Sequence, residues 1–273
     1  MTPFNFFSTL PINHLRVLFS QVLTVDQYAA SVIREYQITQ DIKSPGRQAA
    51  EDLIPLLEQW GGERLLSTTL SGAYAKGTAI SLSSDIDIFF SLKLSQENEV
   101  RKVFWQLFEY LGDHGLQPHT RNVSLQVVRN GARVDLLPAW PVSDTDQILY
   151  HREPGNPFRT RVAQNVHLIA KSGRTQEICA LKIWRERHRL DFPSFYLELV
   201  TLRALEHERY GQLAENVFTV LRYLSTHFLH SEIHDPANSE NIISDELAGE
   251  QKKTIVHLAR QALEDDDWEK IIW

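Results

Sequence analysis

Three acidic residues in this chain stand where carboxylates are costly. Asp85 and Asp87 flank Ile86 at the head of the apolar run Ile86-Asp87-Ile88-Phe89-Phe90, and Asp135 interrupts Val134-Asp135-Leu136-Leu137. Side chains two apart on a strand project to one face, so Asp85 and Asp87 would sit side by side. Adjacent carboxylates repel, and burying them is unfavourable unless a cation lies between them. Magnesium meets that need, since it takes oxygen ligands and is commonly held by carboxylates together with substrate phosphates. Three acids on neighbouring strands could hold two ions, one activating a hydroxyl and one steadying a leaving phosphate. Upstream, Ser71-Gly72-Ala73-Tyr74-Ala75-Lys76-Gly77-Thr78 offers a glycine turn whose backbone N–H groups could face a triphosphate.

An Asp-x-Asp spacing by itself is as readily a turn at the start of a strand. Asp144-Thr145-Asp146 has the same spacing in a polar stretch after Pro141, without a preceding glycine turn, and reads as a turn. Asp85 and Asp87 differ in having the glycine turn before them, the apolar strand after them and a later third acid.

Periodicity outlines the elements that must carry these residues. Leu15, Leu18 and Val22, then Ala29, Val32 and Ile33, recur at helical spacing. Ala49, Leu53, Leu56 and Leu57 repeat it after Ser44-Pro45-Gly46. Past Gly61-Gly62 the period shortens, and residues 65–70 and 86–90 read as strands. Val100, Val103, Phe104, Leu107 and Phe108 mark a helix over 97–111. Residues 124–128 and 133–137 read as a hairpin, because Asn130-Gly131 between alternating apolar residues is a strong hairpin signal. After Pro138 the strand signal fades, and helices are expected from about Phe158, clearest over 175–189, 192–208, 213–228 and 252–263. Asp235-Pro236-Ala237-Asn238 reads as a turn. The expected fold class is α+β, with one lobe over residues 1–140, a helical lobe with an acidic tail over 141–273, and a cleft between them.

Composition narrows the chemistry further. The 273 residues are 42% hydrophobic and 23% charged, enough for a sizeable core. The formal charge is −7, which excludes a wholesale basic coat for a long nucleic acid. Residues 231–273 hold 11 acids and 4 bases, and residues 152–189 hold 9 bases and 3 acids. The acidity is therefore a tail, and a cationic stretch falls beside the expected cleft. Cys179 is the single cysteine, which excludes a disulfide scaffold and a cysteine-built zinc site. No apolar run reaches the roughly 18 residues of a membrane span, and residues 1–8 lack a signal-peptide pattern, so a cytoplasmic protein is expected.

Taken together, Gly72-Ala73, Asp85-Ile86-Asp87 and Asp135 resemble the signature of polymerase-β-like nucleotidyltransferases. Tyr74-Ala75-Lys76-Gly77-Thr78-Ala79-Ile80 and Val134-Asp135-Leu136-Leu137-Pro138-Ala139 are similar to the group holding oligoadenylate synthetases, cGAS-like bacterial CD-NTases and archaeal-type CCA-adding enzymes. Leu181-Lys182-Ile183-Trp184, Pro193-Ser194-Phe195-Tyr196-Leu197-Glu198-Leu199 and Asp235-Pro236-Ala237-Asn238 with Asn241 and Trp268 resemble the helical-lobe motifs of that group. The likeness covers about residues 60–270. It implies a polymerase-β-like core followed by a helical lobe, with Mg²⁺ or Mn²⁺ held by Asp85, Asp87 and Asp135. Nucleotide contacts would come from Gly72, Ala73, Lys76, Lys182, Ser194 and Tyr196. A lysine ammonium near a leaving pyrophosphate also makes independent chemical sense for Lys182, Ser194 after Pro193 would suit a helix N-cap, and an aromatic at 196 could stack on a base.

The family loop is usually Gly-Ser; Ala73 stands here instead, with Ser71 or Thr78 available to compensate. The implied activity is Mg-dependent transfer of a nucleoside monophosphate from an NTP, ATP foremost, to a nucleotide or short oligonucleotide. The product would be a cyclic or linear signal of antiviral defence, read by a downstream effector or partner protein. A CCA-type enzyme acting on tRNA is the alternative within the same chemistry. A non-catalytic or antitoxin-type partner-binding module is the alternative outside it.

Overall fold

The Asn130-Gly131 pair adopts φ of 52° and 77°, the left-handed conformation a tight type I′ hairpin requires. It joins β4 (Leu125–Arg129) to β5 (Ala132–Pro141) in antiparallel register. The computed structural model describes residues 23–38, 44–83, 85–152, 155–265 and 267–273. The expected helix at Leu15, Leu18 and Val22 lies outside the described residues, as do Ser84, Pro154 and Asp266.

Thr24 opens α1 (Val25–Tyr36) through a reciprocal capping box with Gln27. Ser44 caps α2 (Pro45–Gly61), with proline at the first helical position. Then follow β1 (Leu65–Ser71), the short α3 (Gly72–Lys76), β2 (Ile86–Leu92), α4 (Glu99–Asp113) and β3 (His119–Thr120). After the hairpin come β6 (Gln147–His151), β7 (Asn156–Thr160), α5 (Val162–Ala170), α6 (Thr175–Arg187), α7 (Ser194–Ala204) and α8 (Leu213–Thr226). A small ribbon of β8 (His234–Asp235) and β9 (Asn238–Ile242) precedes α9 (Gly249–Glu264).

The main sheet is mixed. Its order is β1-β2-β5-β4-β3, with β2 and β5 parallel and the other neighbours antiparallel. Strand alternation gives β2 two different faces. Ile86, Ile88, Phe90 and Leu92 enter the core formed with α2 and α4. Asp87, Phe89 and Ser91 face the other way, and Phe89 packs with Ala139, Leu149 and Val162. That second face is the one on which the acids stand.

Two features depart from the sequence expectation. The sheet does not end near residue 140: β6 pairs with the last residues of β5, and β7 pairs with β6, carrying it to Thr160. Pro138 sits inside the parallel ladder opposite Phe90. A proline there removes one donor without ending the strand. In addition, Ala29, Val32 and Ile33 of α1 are buried with α6, α7, α8 and α9, so the first described helix packs in the helical core rather than against the sheet.

Candidate active site

Register lines four polar side chains across this second face of the sheet. Ser71 is opposite Asp87, Asp87 is opposite Asp135, and Asp135 is opposite Gln126. Directly opposed residues on neighbouring strands share a face, which brings groups distant in sequence within one row. Asp85 precedes β2 and is not part of this row. It joins the cluster through hydrogen bonds: Gln126 Nε2 donates to Asp85 Oδ2 at 2.8 Å and to Asp135 Oδ1 at 3.1 Å. Arg121 Nη2 donates to Gln126 Oε1 at 3.0 Å and so turns the amide donors toward the acids. Arg133 Nε donates to Asp85 Oδ1 at 2.6 Å.

The electrostatics show what this clustering costs. Burial, reinforced by the Asp135 charge, pushes the Asp87 carboxyl up to about 7, with Lys76 pulling the other way. Burial and then the Asp85 charge also raise Asp135, against the hydrogen bond from Gln126. Carboxylates held above their ordinary range by one another favour a cation among them. The donor set, all oxygen, suits Mg²⁺ or Mn²⁺. The acids form an open cluster, with Arg133 and Gln126 on the Asp85 oxygens. Among the described residues no group of three or more His, Cys, Asp or Glu is gathered closely enough to hold a metal ion as it stands.

Gly72 is fixed here by two constraints. Its φ is +60°, and a Cβ built on it would lie 1.6 Å from Asp87 Oδ2. The backbone therefore passes directly against the carboxylate, which only glycine allows. Gly72 starts α3, and Lys76 at its end donates to Glu198 Oε2 on α7 at 2.8 Å. Lys182 on α6 donates to Glu198 Oε1 at 2.7 Å, to Thr78 Oγ1 at 3.0 Å and to the Thr78 carbonyl at 3.2 Å. Burial raises the Glu198 carboxyl, but Lys182 and Lys76 outweigh it and hold it down to about 2. This network fastens the sheet's glycine segment to the helical lobe.

Beside Ser71 a cavity of about 450 Å³ lies between β1, β2 and β6 on one side and α5 on the other. Ser67, Thr69 and Ser91 line its sheet side, and Val162, Val166 and Ala170 line its helix side. That volume falls within the range of small-molecule sites.

Solved structures share this fold. CdnC of E. coli MS115-1 with ATP superposes with a TM-score of 0.71 at 19% identity, over 86% of this chain and 89% of that one. The CD-NTase CdnG of Bradyrhizobium diazoefficiens in complex with GTP gives 0.73 at 11% identity, over 89% and 91%. The fold is that of a polymerase-β-like nucleotidyltransferase. The Cid1 poly(U) polymerase with Mg and 3′-dATP shares it too, at a TM-score of 0.65 and 12% identity over 89% of this chain and 95% of that one. No protein-family model matches the sequence, and no curated protein matches it.

On this nucleotidyltransferase fold the residues expected from sequence divide into two sets. Gly72, Asp85, Asp87 and Asp135 gather on one face of the sheet, with Lys76 at its helical edge, whereas Ala73 packs against the apolar core. Lys182, Ser194 and Tyr196 depart from their expected contacts. Lys182 is 1% exposed and all three of its protons are bound within the protein. In this conformation it acts on the site as a buried charge, not as a direct contact. Ser194 is exposed, and its hydroxyl accepts from Arg185 Nη1 at 2.8 Å rather than capping α7. Tyr196 is 0% exposed and packs against Phe192 and Phe228, so it belongs to the core and offers no stacking face. The neighbouring Phe195 is only partly buried, with Lys76 Nζ 4.5 Å from its ring centre.

Ser71 lines the cavity and can stand in for the missing loop hydroxyl. Thr78 cannot, since it donates to Glu198 and accepts from Lys182. Four bases of the cationic 152–189 stretch are held by acids. Arg161 pairs with Asp146, Arg174 with Glu177, Lys182 with Glu198 and Arg185 with Glu186. Gln126, Arg121, Arg133 and Glu198 were missed in the sequence. Counting back through the Asn-Gly hairpin would have placed Gln126 opposite Asp135.

Proposed function

We propose that this chain is a template-independent nucleotidyltransferase, joining a nucleoside monophosphate from an NTP to a sugar hydroxyl and releasing pyrophosphate. The observation that carries the reading is the row Ser71, Asp87, Asp135 and Gln126, with Asp85 drawn in by the Gln126 amide, on a fold whose solved examples include complexes with ATP and GTP. Asp85, Asp87 and Asp135 would hold Mg²⁺ or Mn²⁺. When bound, the metal would neutralise the triphosphate and the charge that develops on leaving pyrophosphate.

The chain's own groups do the rest. Asp135 would help take the proton of the attacking hydroxyl. Gln126, oriented by Arg121, holds Asp85 and Asp135 at a fixed spacing. Gly72 lets backbone approach the site, and Lys76, with one proton on Glu198, has two more for phosphate oxygens. The cavity beside Ser71 takes the nucleoside.

The acceptor we favour is a second nucleotide or a short oligonucleotide, giving a cyclic or linear signal of defence, in the cytoplasm. The formal charge of −7 favours this over a tRNA acceptor, because an enzyme gripping a whole tRNA should present a wide basic surface. No helix among the described residues is long and apolar enough to cross a membrane. Incubation with labelled NTPs and Mg²⁺ or Mn²⁺, followed by chromatography with and without tRNA, tests the reading. Small nucleotide products independent of tRNA are expected. Label appearing only in tRNA would transfer the chain to the CCA-adding class, and absence of any product would favour a partner-binding role.

A further inference from the structure

The Asp144-Thr145-Asp146 turn, which sequence spacing alone made a mimic of the metal motif, borders the cavity beside Ser71. Asp144 and Thr145 both line it, together with Gln147 at the start of β6. The turn is held from behind. Arg161 Nε donates to Asp146 Oδ1 at 2.6 Å, and the Ser143 hydroxyl accepts the backbone N–H groups of Thr145 and Asp146. Asp146 is thereby committed, while the Asp144 carboxylate makes no ion pair or hydrogen bond among the described residues. Gln147 is partly committed: its Oε1 accepts from the Ser91 hydroxyl at 3.4 Å, which leaves the amide N–H groups as its free end.

We propose that Asp144 and Gln147 form the base-reading end of this cavity and select guanine. The inference rests on the nucleotidyltransferase reading and deepens it. No lysine or arginine lines the cavity, so it suits the nucleoside rather than the phosphates. Its helix side, mostly apolar with His167 among the lining residues, accepts a flat heteroaromatic face, and its phosphate end is set by Ser71, which neighbours Asp87 across the strands.

The polar groups at the other end decide which base. An ionised carboxylate only accepts hydrogen bonds, and the Gln147 amide offers donors. Guanine alone presents two adjacent donors, N1–H and N2–H₂, beside the acceptor O6. Adenine and cytosine place a ring acceptor next to their single amino group, which a carboxylate repels. Uracil sets one N–H between two carbonyl oxygens, which repel it from both sides. The unpaired carboxylate thus discriminates against three bases by repulsion as well as favouring one by attraction.

Titration calorimetry of the full chain with non-hydrolysable GTP, ATP and ITP analogues tests this. The guanine analogue should bind about tenfold to a hundredfold more tightly than the adenine analogue, the range for a good bidentate contact. The inosine analogue, which lacks the N2 amino group, should fall between them. Asp144→Asn and Asp144→Ala should each remove the preference while leaving the melting temperature unchanged. Equal or tighter binding of the adenine analogue, or a guanine preference that survives both substitutions, would overturn the assignment. If ATP binds and releases pyrophosphate while GTP does neither, the base assignment fails and the nucleotidyltransferase reading stands. If no analogue binds and no NTP yields pyrophosphate, both fail.

Discussion

Replacing Glu198 with glutamine keeps the shape of the junction between α3, α6 and α7 and removes the carboxylate that pairs with both Lys76 and Lys182. The carboxyl sits at about 2 in the folded protein against an ordinary 4.5. At about 1.4 kcal/mol per pH unit, that difference is roughly 3–4 kcal/mol in favour of the ionised form. Removing one partner of a buried ion pair typically costs about 3–5 kcal/mol, because the remaining charge is left without compensation. Taking about 2–4 °C per kcal/mol for a chain of this size, Glu198→Gln should lower the melting temperature by roughly 6–20 °C at pH 7. Because the folded-state carboxyl is depressed, its stabilisation is complete above the unfolded pKa of 4.5 and is lost as pH falls toward 2. The gap between wild type and variant should therefore be full at neutral pH and close through that acid window. Thermal melts followed by circular dichroism from pH 7 down to pH 3 read this out. A change of under about 2 °C at pH 7, or a gap that does not narrow in acid, would refute the account of the network.

Other expectations follow from single contacts. Gly72→Ala drives a methyl group into Asp87 and forces alanine to positive φ, so pyrophosphate release should fall to background even where the protein still melts cooperatively. Tyr196→Phe should leave the melting temperature within about 2 °C, since its buried hydroxyl has no partner among the described residues, whereas Tyr196→Ala should cost roughly 3–5 kcal/mol. Differential scanning calorimetry separates these two. Asp87 keeps its proton up to about pH 7 without metal, and a ligand must lose its proton to bind. Mn²⁺ affinity, measured calorimetrically, should therefore rise from pH 6 to pH 8 in the wild type and rise less steeply in Asp87→Asn.

The parts of the site that follow from local rules were legible in the chain. Apolar residues around Asp87 and Asp135 predict buried strands, and the Asn130-Gly131 hairpin fixes the register of β4 against β5. The acids could be grouped because their strands are short and strongly patterned. What escaped notice depends on contacts between distant segments. Lys182 reads as a surface lysine on a helix until Glu198 and Thr78 enclose it. Tyr196 and Phe195 are adjacent on α7, and only tertiary packing decides which one enters the core. Asp85 was expected beside Asp87 by strand alternation, but β2 starts at Ile86, and hydrogen bonds from Gln126 and Arg133 place it instead. The sheet's extension through β6 and β7 was hidden by prolines that normally mark strand ends.

The central claim is that the three acids act together on a nucleoside triphosphate. Pyrophosphate release from each of the four NTPs in Mg²⁺ or Mn²⁺ tests it most directly, comparing wild type with Asp85→Ala, Asp87→Ala and Asp135→Ala, each checked for an intact melt. The account predicts metal-dependent release by the wild type from at least one NTP and loss of it in all three variants. Release that persists in a folded Asp87→Ala or Asp135→Ala variant would contradict it.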